Sequence, residues 1–179
     1  MEEADIDIDS TRELAVFDAD SVHAVLAELQ SLLRPTQQEA FPSAWKLNVN
    51  GGILQGTDMY SILGNNYLKI RDIAELLDGT AKQFNITVEG RTVNLIDGEA
   101  YESRGDEMTL NPNAAKTTTS PTTFSFTLDG QPIALTAYMI AGSNYVRLRD
   151  VLQLFDVNVG FDPSLREIYI DTTKAYADS

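Results

Sequence analysis

The chain has 179 residues, 43% hydrophobic and 22% charged, with 13 Lys and Arg against 27 Asp and Glu. At ~150 residues per domain that is one domain or two small ones, of ordinary soluble composition. The formal net charge of −14 argues against nucleic acid and anionic lipid as partners, because clustered Lys and Arg hold both. With no Cys and one His, His23, disulfides, thiolate metal sites, Cys nucleophiles and centres of several imidazoles are excluded.

The first residues, MEEADIDIDSTRELAVF, are acidic and lack the basic and apolar regions of a signal peptide. No stretch approaches the ~18 apolar residues that span a bilayer, so membrane insertion is not expected. The chain is therefore read as cytoplasmic, or as the mature part of an exported protein. Within residues 1–45, Asp20 or Ser21 is placed to cap a helix from Val22 to about Leu33, which Pro35 stops. Val22, Val25, Leu26, Leu29, Leu32 and Leu33 form a broad apolar stripe. Such a stripe needs a partner surface, and a homodimer through this helix is one way to supply it.

An internal repeat organises the rest. Residues 64–78, GNNYLKIRDIAELLD, match 142–156, GSNYVRLRDVLQLFD, at seven of fifteen positions, and most other differences are conservative. Upstream, LNVNG (47–51) matches FTLDG (126–130). Downstream, an alternating apolar segment ends at Tyr101 in one copy and Tyr176 in the other. The offset is 79 residues before the motif and 78 within it.

Each copy reads in the same order. Apolar residues alternate around Asn50-Gly51 or Asp129-Gly130, a strong hairpin signal. A short strand then leads into the Asn-Tyr element. Ile70, Ile73, Ala74 and Leu77, like Leu148, Val151, Leu152 and Phe155, fall at i, i+3, i+4, i+7, one stripe of a two-turn helix. Lys69, Arg71, Asp72 and Glu75 are assigned to its other side. A second hairpin closes the copy, FNITV-EGR-TVNLI or VNVGF-DPSLR-EIYI. The expected fold is α+β: two tandem β-β-α-β-β repeats, each an antiparallel sheet packed on one helix, plus the N-terminal helix. The expected division is 1–45, repeat one at 46–103, a Thr/Pro-rich linker at 104–123, and repeat two at 124–179.

The glycine, the Asn-Tyr pair, the basic-apolar-Arg-Asp helix start and the closing hairpin resemble the copper amine oxidase N-terminal-like domain, also called the stalk domain. The residues that carry the resemblance are Asn66, Tyr67, Arg71 and Asp72, with Asn144, Tyr145, Arg149 and Asp150; GDEMT (105–109) also fits. The resemblance covers about 46–103 and 124–179. It implies a sheet wrapped over one helix, on an exported or surface protein of Gram-positive bacteria. It does not imply oxidase chemistry.

The residues themselves point away from catalysis. An oxidase needs three His and a Tyr within Asn-Tyr-Asp/Glu, whereas Leu68 follows Tyr67 and Val146 follows Tyr145. His23 alone supports neither a copper site nor a Ser-His-Asp triad. The acid runs Asp5, Asp7, Asp9 and Asp18, Asp20 suggest calcium, as does Asp156-Val-Asn158-Val-Gly160-Phe-Asp162 with its alternating oxygen ligands. The last holds Phe161 at position 6 and Gly160 at position 5 of an EF-hand register, although Glu167 stands at position 12. It reads more simply as a strand with Val157, Val159 and Phe161 inside. No catalytic residue, cofactor or metal is therefore expected. The recurrent Asn, Tyr, Arg and Asp are read as structural pins, the Asn capping or turning the backbone at the helix start and the Arg locking helix to sheet. Tyr60, Tyr101, Tyr138 and Tyr176 are the candidate binding aromatics. The expected function is a non-catalytic spacer, anchor or interaction unit, with an unknown protein or a cell-wall glycan as partner. A glycan- or host-protein-binding module is the alternative, favoured if those tyrosines line one groove.

Overall fold

The computed structural model describes residues 19–33, 36–54 and 57–178, an α+β fold that is mostly sheet with three helices among those residues. Two compact units divide the chain at Met1–Arg34 and Pro35–Ser179. The boundary expected at 45/46 therefore falls eleven residues earlier, and both copies and the linker belong to one unit.

The first unit contains α1, Ala19–Leu33. It begins one residue before Asp20, so Asp20 and Ser21 lie in its first turn rather than capping it. Asp20 still favours the positive end of the helix dipole. Val22, Val25, Leu26 and Leu29 are all exposed. The expectations for Leu32, Leu33, Pro35, Asp5, Asp7, Asp9 and Asp18 fall outside the described residues or side chains.

In copy one of the second unit, β1 is Glu39–Pro42, β2 Lys46–Val49, β3 Gly52–Leu54, β4 Tyr60–Ile62, β5 Asn65–Lys69, α2 Ile70–Leu77, β6 Phe84–Glu89 and β7 Thr92–Asp97. In copy two, β8 is Thr117–Thr118, β9 Ser120–Pro121, β10 Ser125–Leu128, β11 Gln131–Ile133, β12 Ala137–Ile140, β13 Ser143–Arg147, α3 Leu148–Leu154, β14 Asn158–Asp162 and β15 Glu167–Asp171. The turns Asn50-Gly51 and Asp129-Gly130 have positive φ at both residues, as two-residue hairpin loops require.

Two further tight hairpins went unread in the sequence. Leu63-Gly64 joins β4 to β5 and Ala141-Gly142 joins β12 to β13, again with positive φ throughout. Leu63 holds φ 50° while 70% exposed. Left-handed backbone costs a branched side chain ~1–2 kcal/mol, and nothing apolar covers it in return. Leu63→Asn is expected to stabilise the fold by ~0.5–1 kcal/mol, read as a melting temperature raised by a few degrees.

The copies do not close separate sheets. The first hairpin of each copy joins the last hairpin of the other, giving sheets β11-β10-β7-β6 and β14-β15-β2-β3. The joining pairs are parallel: Phe126 opposite Val93, and Ile168 opposite Leu47. The tandem arrangement of self-contained sheets is thus replaced by an exchange of hairpins. The physical reason is that a lone hairpin is marginal, and the other copy offers an edge of matching apolar alternation. The turn residues fasten the exchange. Asn50 Oδ1 accepts the Thr172 N–H at 2.9 Å, and Asp129 Oδ1 accepts that of Asp97 at 3.0 Å.

A seven-strand central sheet runs β8-β1-β4-β5-β13-β12-β9. Only Thr119 separates β8 from β9, so the two ends of this sheet are one stretch of chain and the sheet closes on itself. The stretch read as a linker, 104–123, supplies this closure. Leu68 lies opposite Val146 and Glu39 opposite Thr118. Each pair joins a residue to its own repeat counterpart, so a pseudo-twofold axis passes through both.

Inside the closed sheet pack Ala40, Tyr60, Ile62, Tyr67, Tyr138, Ile140 and Tyr145. Tyr60 meets Tyr145 and Tyr67 meets Tyr138 edge to face, each with centroids 5.4 Å apart, and the axis interchanges the two pairs. A second core draws on both helices and both outer sheets. At its centre Phe84 of β6 stacks on Phe155, just past α3, at 4.2 Å.

Candidate functional site

The recurrent Asn and Tyr side chains are used internally. Asn66 Oδ1 accepts the Ser43 hydroxyl at 2.9 Å, and Asn144 Oδ1 accepts that of Thr122 at 2.6 Å. Both Asn sit in strands, and neither helix start carries a side-chain cap, which corrects their reading as caps. They fix the Ser/Thr turn whose Oγ takes the N–H of Trp45 or Phe124. The match Pro42-Ser43-x-Trp45 to Pro121-Thr122-x-Phe124 was the signal that would have extended the repeat upstream.

Tyr60, Tyr101 and Tyr138 are buried and Tyr176 is half-buried. They line no common groove, which corrects their candidacy as a binding surface. Tyr60 and Ile62, like Tyr138 and Ile140, are two apart on a strand and so share its inner face. That spacing was available in the sequence.

The Arg-Asp pairs diverge between copies. Arg147 Nε and Nη2 both reach Asp150 Oδ1, at 2.8 and 2.6 Å, so the helix-locking cation is Arg147 rather than Arg149. In copy one the equivalent Lys69 pairs instead with Asp58 at 3.3 Å. Asp58 Oδ2 also accepts the Tyr145 hydroxyl at 2.8 Å. Asp72, expected on the outer side, is fully buried. Its Oδ1 accepts the Met108 N–H at 3.0 Å, while Oδ2, like Asp58 Oδ1, has no partner.

Burial raises the Asp72 carboxyl, opposed by the Met108 N–H and Lys69 and reinforced by Asp58 and Glu107. The native state therefore holds this proton more tightly than the unfolded chain does. Stability is lost as pH rises through the native pKa. Asp72→Asn keeps an acceptor for Met108 and removes the buried charge. It is expected to melt above wild type at pH 8, with the gain vanishing at low pH, measured by calorimetry across that range.

Residues 101–108 form a strap beside the start of α2. Asp78 Oδ1 accepts the Tyr101 N–H at 2.9 Å. Arg71 donates to the Tyr101 hydroxyl at 3.2 Å, and that hydroxyl donates to Glu107 at 2.6 Å. Glu107 also accepts the Ser103 hydroxyl and the N–H groups of Arg104 and Gly105. Burial, then the bond to Glu107, pushes the Tyr101 phenol up to about 12. Burial also pushes the Glu107 carboxyl up, but its hydrogen bonds, Tyr101 first, hold it down at about 2. A depressed carboxylate stabilises the native state above its unfolded pKa, and that contribution is lost as pH falls from about 4.5 through about 2. Glu107→Gln is expected to lower the melting temperature at pH 7 and to narrow its gap to wild type towards pH 2.

Two clefts are related by the pseudo-twofold. One, of about 340 Å³, lies between Lys69-Ile70-Arg71 and Gly142-Ser143-Asn144, with Val88 and Phe124 as walls and Arg104, Asp106 and Glu107 of the strap along it. The other, of about 510 Å³, lies between Arg147-Leu148-Arg149 and Gly64-Asn65-Asn66, with Phe161 and Trp45 as the matching walls. Trp45 and Phe161 meet edge to face at 6.0 Å, and the Arg149 guanidinium lies 4.8 Å over the Phe161 ring. Phe161, expected inside with Val159, is exposed because β14 runs beyond the edge of the core. Trp45 and Phe161 are the open aromatic pair that sequence reasoning missed.

Among the described residues no three His, Cys, Asp or Glu side chains converge to hold a metal ion, and no helix is long and apolar enough to cross a membrane. His23 lies exposed on α1, its Nδ1 2.6 Å from the Ala19 carbonyl. Comparison with known proteins gave no matching family model, curated protein or solved structure.

Proposed function

We propose that this chain is a non-catalytic stalk-type module of an exported or cell-surface bacterial protein, serving as a spacer, anchor or protein-interaction unit. The observation that carries the reading is the use made of the recurrent side chains. Asn66, Asn144, Tyr67 and Tyr145 hold strands and fill the closed sheet, so duplicating the motif duplicates architecture. The central sheet also ends on both sides in two-residue strands of one chain stretch, β8 and β9, and very short edge strands discourage unwanted pairing, as suits a presented spacer. The family resemblance points the same way. Dimerisation through the exposed apolar residues of α1 belongs to this proposal, and light scattering of chains with and without residues 1–34 tests it.

The alternative, a glycan- or host-protein-binding module, draws on a different observation, the open Trp45–Phe161 pair, since sugars stack on aromatic faces. Sedimentation with insoluble peptidoglycan separates the two. A spacer stays in the supernatant. Co-sedimentation lost in Trp45→Ala would replace the spacer reading with glycan binding.

A further inference from the structure

We infer that Arg104-Gly105-Asp106 is a docking loop for a protein receptor that takes the guanidinium in an acidic pocket and the carboxylate on a divalent cation. The inference rests on the interaction-unit part of the function proposed above and gives that unit a partner class.

The three residues are consecutive, occur in this order once in the sequence, and are all exposed. They belong to the strap, whose two ends are fastened to one helix. Asp72 of α2 accepts the Met108 N–H, and Asp78, just past α2, accepts that of Tyr101. Between those anchors the Glu107 carboxylate draws the chain into a turn, accepting the N–H groups of Arg104 and Gly105 and the Ser103 hydroxyl. Gly105 turns the backbone at φ 88°, which glycine adopts without strain. The Asp106 carbonyl accepts the Thr109 hydroxyl at 2.8 Å.

At Arg104, Gly105 and Asp106 each of these bonds is made by the backbone. No ion pair among the described residues includes the Arg104 guanidinium or the Asp106 carboxylate. The loop is thus held by its main chain, and both charged side chains are left for a partner. A turn fixed before binding loses little conformational entropy on docking, and a rigid scaffold commonly carries its binding residues on such a loop.

The spacing defines the receptor. Two residues of chain span at most about 7 Å, so one small footprint offers a cation and an anion together. A guanidinium is gripped best by a carboxylate that takes two of its N–H groups, which calls for an acidic pocket. The Asp106 carboxylate stands on a single carbon, so its partner has to approach the main chain closely. A divalent cation with an open oxygen position is compact enough to do so. A Cβ placed at Gly105 would meet nothing within 4 Å, so the receptor has room to come against the backbone there.

The test measures binding of the full chain to the immobilised ectodomain of an Arg-Gly-Asp-binding integrin, a receptor of this chemistry, by surface plasmon resonance with manganese present. The expected result is saturable binding, abolished by EDTA and by excess linear Gly-Arg-Gly-Asp-Ser peptide. Asp106→Glu keeps the charge and moves it by one methylene, and Arg104→Gln removes the forked donor; each should bind at least about tenfold more weakly. Arg91→Gln, at an exposed Arg elsewhere, should bind as wild type does. Melting curves for the variants matching wild type confirm that they are folded. The inference is overturned by absence of saturable binding, by binding that survives EDTA, by equal binding of Asp106→Glu, or by a loss in Arg91→Gln as large as that in Arg104→Gln. None of these touches the spacer reading, which stands or falls on peptidoglycan sedimentation.

Discussion

Neither half of the second unit should fold alone. A fragment of residues 36–103 and one of residues 104–179 are each expected to give the circular dichroism of an unfolded chain, and to regain native signal only when mixed. The reason lies in strand partnership. β2 and β3 depend on β15, β10 and β11 depend on β7, and β5 finds its neighbour in β13. Separated, each half would expose these edges together with its share of a core to which both contribute. About 70 residues bury too little surface to offset that loss. A cooperative melt from either fragment alone would contradict the exchanged topology.

Phe84→Ala is the single substitution expected to cost most. Phe84 is fully buried and stacked on Phe155 across the two copies. Removing a buried aromatic ring costs ~3–5 kcal/mol, on the order of a 10 °C fall in melting temperature for a unit this size. The loss should appear as one transition moved down, with probes in both copies following it together. Two separate transitions would mean that the copies are independent. The variant Phe155→Leu, which restores the residue type found at the counterpart Leu77, is expected to cost less than half as much.

Much of this fold was legible. The Asn50-Gly51 and Asp129-Gly130 hairpins, both short helices and both closing hairpins stand where periodicity and turn chemistry put them. Those are local signals, decided within a few residues. Partnership is not local. The alternation of Leu47 and Val49 says that β2 has one buried face, and nothing in it says that β15 lies alongside. The same limit hid the role of 117–121. Thr and Pro there lack apolar periodicity because two-residue strands need only backbone pairing. Leu63-Gly64 was missed because tertiary constraint, rather than Asn, holds its turn.

The candidate site was less legible for a related reason. Asp72 and Phe161 were each given the wrong side of their element. Asp72 lies off the Ile70, Ile73, Ala74, Leu77 stripe that marks the buried face, and the strap, whose Met108 N–H meets its carboxylate, comes from 36 residues further along the chain. Phe161 keeps strict alternation with Val159, yet its strand outruns the core. Val88, the counterpart of Phe161, is exposed as well, so this strand outruns the core in both copies.

The pairing of Leu68 with Val146, each beside its own equivalent, has an evolutionary reading. An isologous contact is how two identical subunits meet. A single-copy ancestor would have had the same residue facing itself at that point and would have traded hairpins with a twin. With both copies on one covalent chain, that association is one dilution cannot reverse.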